Sequence, residues 1–588
     1  MKKYAIASML LASALSGHCA TYHVAPNGND SNSGLDWNNP LATISNALAK
    51  ATVAGDTVLV SNGTYNLTTN LMVTCPVTLK SWNGGELDGE NTILDGGGVT
   101  RCLYITNSGA MVAGFTVRNG SGMGNVNTNY GGGVYIGGGN YLGGVLSNCI
   151  VRGNTASRIG GGVYAFGTNA LVVDCLIESN EVALTTNYGE GAGGAYLTRG
   201  GIISNTTLRF NCATNTSFNN PAGGGGLLLR YNAVAANCHI ISNKTARTGG
   251  GVLIHGNLSG TDVTGVRMFD CVISGNSQTA GYATDGWGCG GLAIPFVKDV
   301  LISGCTIDNN FCEAQTGAGG IYVIHDVSGK DVVISNCVVS NNIAYSGIAA
   351  GMGVWHIANG LMVTNRIYNT IFVRNTGSAR AGGLLGTFNA VVENCVFKDN
   401  VGNHYGGASF LADRDADAGS KLIIRNCLIV SNRVPNAYSW GAAGLSVRSN
   451  ASIESCTIAG NMGGKYGGFF ADRIENISIT NTIIYFNTGY PSNLYINGVT
   501  SSVPFAYSCT SPTNPLVGPG NIDKDPLFVD RAARDYQLKL DSPCINAGVN
   551  LPWMANGVDL NGWKRIYYGI TDMGACEFLR RGTVYIFH

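Results

Sequence analysis

The chain has 588 residues, its 35 Lys and Arg are matched by 35 Asp and Glu, and only 12% of its residues are charged. That balance offers no basic stripe for nucleic acid, and beyond the N-terminus no apolar run of about 18 residues marks a membrane helix. Its 85 glycines and 18 cysteines point to a bend-rich chain with a polar, weakly charged surface.

In chain order, the opening MKKYAIASMLLASALSGHCA sets Lys2 and Lys3 before an apolar stretch from Tyr4 to Leu15 and then small residues. This is the pattern of a secretory signal over residues 1–20, and it predicts a secreted or cell-surface protein. His18 stands where a lipoprotein signal needs a small residue before Cys19, so no lipid is expected there. Residues 21–110 read as an N-terminal cap and first coils. A strand from Tyr22 to Ala25 leads into an Asn/Gly/Ser loop. A short helix follows with Leu41, Ile44, Leu48 and Ala51 on one side, then a strand from Thr57 to Val60. Asn27, Asp30 and Asp36 are read as turn residues in preference to calcium ligands.

Residues 111–505 carry a repeat. Twelve times a Cys or Thr is followed two residues later by an apolar residue and three beyond that by Asn, from CIVRGN at Cys149 to TIIYFN at Thr482. The spacing, (482 − 149)/11, is about 30 residues, inside the range of stacked solenoid units. Period-two alternation with β-branched enrichment makes each copy a strand with one buried face. A second strand is marked by Gly-Gly and apolar residues, as in GGVYI ending at Ile136, and a third by the apolar residue three before the Cys/Thr column, such as Leu146. Three short strands per period without helical periodicity predict an all-β fold, a right-handed parallel β-helix of about twelve or more coils with caps at both ends. With rungs about 4.8 Å apart, twelve coils are roughly 58 Å long.

Stacking turns repeat positions into columns. Asn154, Asn180, Asn211, Asn243, Asn276, Asn310, Asn342, Asn375, Asn400, Asn432, Asn461 and Asn487 are predicted to form a ladder of side-chain amides at a corner, where Asn tolerates a left-handed backbone. Nine cysteines share their column with three threonines, which argues for a small, slightly polar filler. In-register strands also hold Cβ atoms farther apart than a disulfide permits, so a ladder of buried free thiols is expected.

The repeats resemble those of the polymorphic outer membrane proteins and of the wider pectate-lyase-like β-helix superfamily. The resemblance covers Gly131 to Asn487 and rests on the glycine doublet with its apolar residue and on the apolar residue three before Asn. It implies the fold and an exported protein of a Gram-negative-type bacterium. It leaves activity open, because this architecture hosts lyases, hydrolases, adhesins and passive stalks. Residues 506–578 resemble the choice-of-anchor domain of bacterial surface β-helices through Asp525-Pro526-Leu527-Phe528, Tyr536, Ser542-Pro543-Cys544, Ala547-Gly548, Asp559, Arg565 and Gly574-Ala575-Cys576-Glu577. Cys544 and Cys576 are a candidate disulfide within this cap. The tail, residues 579–588, is too short for a membrane helix or a long sorting module.

Three places suggest chemistry. Tyr135, Tyr164 and Tyr196 on successive coils, with Tyr322 and Trp355 further along, form an outward aromatic stripe that suits stacking on a glycan, or merely covers the strand. Arg230 and His255 on adjacent coils are the candidate catalytic pair of a polysaccharide lyase, which needs a base for the proton beside a uronate carboxylate and a cation for that carboxylate. Asp413, Asp415 and Asp417 have the spacing of a calcium loop but lack its downstream glutamate. No cofactor other than calcium is suggested. The Asp-Asp pair of polygalacturonase-type hydrolases and the WxDH-like and RxPxxR patterns of pectate lyases are missing. The leading expectation is therefore a monomeric protein that binds extracellular polysaccharide or cell-surface glycan, or acts as an adhesin. A polysaccharide lyase and a passive stalk or coat protein are the alternatives.

Overall fold

The computed structural model describes residues 19–579 except 83–90, 123–129, 139–142, 184–190, 215–222, 256–264, 280–287, 326–330, 357–363, 379, 387–388, 411–420, 437–440, 449, 473–475, 490–491, 498–504 and 512–517. It is a right-handed parallel β-helix whose coils stack into four long sheets, A, B, C and D, of 17, 16, 15 and 12 strands respectively. One coil runs through Val134–Ile136 in C, Gly144–Ser147 in A, Ile150–Arg152 in B and Thr155–Ala156 in D, and the next begins with Val163–Phe166 in C. The sequence pattern predicts three strands per coil. The fourth, only two residues long, is too short to carry a periodic signal.

Among the described strands the coils pair in parallel and in register, as Val151 with Ile177 and Ile177 with Leu208, except for a register shift between Tyr466–Ala471 and Ser492–Ile496. Inward residues of A, B and C, such as Leu146, Val151 and Ile136, form one continuous core. At its N-terminal end, Thr21–Val24 pairs with Thr57–Val60, and the helix Ile44–Lys50 buries Ile44 and Ala47 against the first rungs. Thr43 caps that helix by accepting from the Asn46 amide at 3.3 Å. Asp30 accepts from the amides of Ala42 and Thr43, and Asp36 from those of Asn38 and Asn39, so both are fastened as turn residues.

The corner between B and D explains the Asn column. Asn180 accepts through Oδ1 from the Asn154 amide (3.0 Å) and Nδ2 (2.9 Å), and its own Nδ2 donates to Val151 O (2.8 Å) and to Asn211 Oδ1 (3.0 Å). The pattern continues to Asn487, with the side chains shut away from water. The left-handed backbone is not on these Asn residues. It falls one position earlier, on Gly153, Ser179 and Phe210 at φ 62, 54 and 56, because the buried amide must aim along the helix axis while its predecessor makes the bend. The glycine doublets follow from the same packing: a Cβ on Gly162 would sit 2.9 Å from the Asn180 Nδ2.

The Cys/Thr column lies just beyond a second left-handed position, at the corner between A and B. Asn148, Asp174 and Asn205 carry φ 46, 55 and 49 there. Cys175 donates across it to Val173 O at 3.2 Å, and Thr206 to Ser204 O at 2.9 Å. Cysteine and threonine interchange because both are small donors that close the corner. The column cysteines are not bridged to one another, and burial pushes Cys149 up to about 11.

Candidate functional site

Sheet C carries the predicted aromatic stripe, and its outer face is covered. Tyr135, Tyr164 and Tyr196 do stack in register, with ring centroids 4.9 and 5.3 Å apart. They pack into a second apolar cluster outside the main core, together with Leu228, Leu253 and Ala293. Residues on the D-to-C corner, including Ile159, Ala192, Cys289, Ala318 and Ala349, lie over them. Tyr164, Tyr196 and Tyr322 are consequently buried, and only Tyr135 and Trp355 keep part of their surface. Tyr322 pairs with Gly353, and Trp355 with Ile324, so those two rings belong to different columns. A glycan cannot lie on rings already roofed by protein, which corrects the stripe as an open stacking platform.

The Arg230/His255 pair is corrected in the same way. Leu229 pairs with Ile254, so the two side chains do sit on adjacent rungs, but both are buried at under a tenth exposure. Arg230 lies 4.7 Å over the Tyr231 ring and donates to Tyr231 Oη (2.9 Å) and Tyr196 Oη (3.4 Å). Its charge is engaged by tyrosines, where no polymer in solvent reaches it. His325 is likewise internal. It shares a 2.9 Å hydrogen bond with Asn365, and burial drives it down to about 4. Asp413, Asp415 and Asp417 lie outside the described residues. Among the described residues no three His, Cys, Asp or Glu side chains converge as a metal site.

Among the described residues an open concave surface lies on the C-terminal segment, which folds back along the outer face of B. Thr510 still belongs to the last coil. The segment beyond it then binds successive earlier coils. Tyr536 Oη meets Ser431 Oγ at 3.4 Å, Asn481 donates to Val549 O at 2.8 Å, the Ala575 amide donates to Thr457 Oγ1 at 3.0 Å, and Arg534 pairs with Asp399. The motif residues hold the segment together. Arg565, fully buried, donates to Gly574 O (3.0 Å), Thr571 Oγ1 (3.0 Å) and Asp572 O (3.1 Å) and pairs with Glu577 at 3.2 Å. Asp559 accepts from the amides of Asn561 (2.9 Å), Trp563 (2.7 Å) and Glu577 (2.8 Å). Burial raises the carboxyls of Asp559 and Asp572, and takes Glu577 up to about 7 against the pull of Arg565.

This scaffold displays a cavity of about 810 Å³ bounded by Trp563, Tyr567, Asn561, Gln537, Asp535 and Glu577. A second of about 350 Å³ adjoins it through Tyr567 and Glu577 and reaches Tyr568 and Asn546. Trp563 and Tyr568 are 53% and 78% exposed, and the rings of Tyr567 and Tyr568 meet edge to face at 4.6 Å. No Lys or Arg stands among the described lining residues. Flat rings beside amide and carboxylate acceptors suit a sugar, whose C–H face stacks while its hydroxyls donate. The sequence signal was the run NGWKRIYYG, aromatic residues in a glycine-flanked, strand-free segment, which the motif match around it concealed.

No protein-family profile matches the chain, and no curated protein shows a significant match. Among solved structures, a pectate lyase is 15% identical, with 95% of this chain and 96% of that one covered and a TM-score of 0.25. A mannuronic acid-specific family 6 polysaccharide lyase from human gut microbiota is 11% identical, covering 68% and 89%, with a TM-score of 0.31. A surface adhesin of Streptococcus pneumoniae is 11% identical, covering 77% and 86%, with a TM-score of 0.29. These likenesses assign no activity.

Proposed function

We propose that the protein is an exported or cell-surface β-helix that binds extracellular glycan through the C-terminal cavity, the coils serving as a rigid monomeric support. The observation that carries this reading is the pair of exposed rings, Trp563 and Tyr568, flanking a cavity with acceptor side chains. The carboxyl groups of Asp535 and Glu577 in the lining favour neutral or amino sugars over uronates. The signal at residues 1–20 supports export, and a calcium ion on Asp413, Asp415 and Asp417 is a separate proposal, checked by calorimetric titration with calcium. A glycan array probed with the wild type and with Trp563→Ala tests the binding reading. Retention of one glycan class by the wild type and its loss in the variant are expected; binding unchanged by the substitution overturns the site. The lyase alternative predicts new ultraviolet-absorbing unsaturated ends on acidic polysaccharide, and the burial of Arg230 and His255 weighs against it.

A further inference from the structure

Cys509 and Cys544 meet where the C-terminal segment joins the last coil. Cys509 holds the outward position of sheet B, in register with Ile483, a column exposed at His239 and Ile371 but buried at Thr457, Ile483 and Cys509. Cys544 comes in from the segment above it. Both are fully buried in one apolar cluster with Val430, Ala459, Phe528 and Met573. Cys544 is the largest influence pushing the Cys509 thiol up, and Cys509 Sγ donates to Lys524 O at 3.2 Å. Cys544 takes no part in any rung, whereas the column cysteines, such as Cys238 and Cys271, belong to successive coils. Strands about 4.8 Å apart hold those Cβ atoms beyond the roughly 3.5–4.5 Å a disulfide accepts. Cys544 is free of that spacing. Cys576 is not part of the cluster.

We propose that Cys509 and Cys544 form a disulfide that staples the C-terminal segment to the end of the solenoid. The step needs a disulfide-bearing oxidant, either oxidised glutathione or a thiol–disulfide oxidase. One cysteine thiolate attacks the oxidant's disulfide and expels a thiolate. The second cysteine then attacks the mixed disulfide, forming the protein S–S bond and releasing the oxidant's other sulfur. Two thiol protons are lost and two electrons pass to the oxidant. Because both sulfurs are buried, and Cys544 together with burial pushes the Cys509 thiol up, the exchange runs while the segment is undocked. The oxidising compartment comes from the export reading; the pairing itself rests on the packing alone.

Refolding the full chain in a glutathione buffer of oxidised poise, followed by peptide mapping without reduction, tests the pairing. The expected product links the peptides bearing Cys509 and Cys544 and shows two fewer titratable thiols in denaturant than the reduced chain. Cys576→Ser should keep the link and Cys544→Ser lose it, so one informative variant remains if the other fails to fold. Proteolytic release of the segment is expected to be at least about tenfold slower in the oxidised protein than in Cys544→Ser. A Cys544–Cys576 link, or an unchanged thiol count in correctly folded protein, overturns the proposal. Neither result bears on glycan binding, which the array reads separately.

Discussion

The outer faces of sheets B and C are built from the same kind of strand and meet different surroundings. On C, strands such as Leu227–Leu229 and Ile321–His325 are buried throughout, because the D-to-C corner lays a second apolar cluster over them. On B, the outward column stays open through the middle coils, at His239 and Ile371, and closes under the C-terminal segment. A coil edge that is covered through its middle coils gives rigidity and leaves no room for a ligand there. An edge left open through its middle coils and covered at its C-terminal end allows the covering segment to present a surface of its own.

The largest expected effect probes the covered face. Tyr322 is 1% exposed on C whereas Tyr345 is 65% exposed. Tyr322→Ala should cost about 3–5 kcal/mol and Tyr345→Ala less than about 0.5 kcal/mol, compared by urea denaturation. Equal costs would break the distinction between the two settings. Asn310→Ala removes a side chain that accepts from the Asn276 amide and Nδ2 and donates to Ile273 O and Asn342. The buried groups left behind predict a loss of about 3–4 kcal/mol in the same experiment.

The pH response sharpens the contrast at the C-terminal end. Glu577 rises from 4.5 to about 7 in the folded chain, so folding favours its protonated form. The stabilisation is fully present below pH 4.5 and is lost as pH rises through 7, a change of order 3 kcal/mol at most. Amide exchange of the C-terminal segment should speed up across that window while the middle coils stay protected. Glu577→Gln should flatten the response, Asp559 and Asp572 contributing any remainder in the same direction. The smallest effect concerns the corner donor: Cys337 donates to Ser335 O at 3.1 Å, so Cys337→Thr should be nearly neutral and Cys337→Val should cost about 1 kcal/mol.

The solenoid was legible because its repeat is written in residues with one physical task each. Val151 and Ile177 face inward, Gly162 leaves room for Asn180, and Asn180 bonds both neighbouring rungs. The fourth sheet was not legible, since Thr155–Ala156 is too short to alternate. The roof over C was hidden because Tyr164 and Tyr196 look the same in sequence whether water or Ile159 lies above them. Strands apolar at every position, such as LLL at Leu227–Leu229, were the available hint of burial on both faces. In the C-terminal segment the motif residues Asp559, Arg565 and Glu577 hold the framework, while the exposed rings that suit a ligand, Trp563 and Tyr568, stand between and beside them.

Hydroxyl-radical footprinting with a bound glycan tests most directly whether recognition belongs to the C-terminal segment. Binding is expected to protect Trp563, Tyr567 and Tyr568 and to leave Tyr135, Tyr164 and Tyr196 unchanged. Protection of the sheet C tyrosines, with Trp563 still reactive, would contradict it.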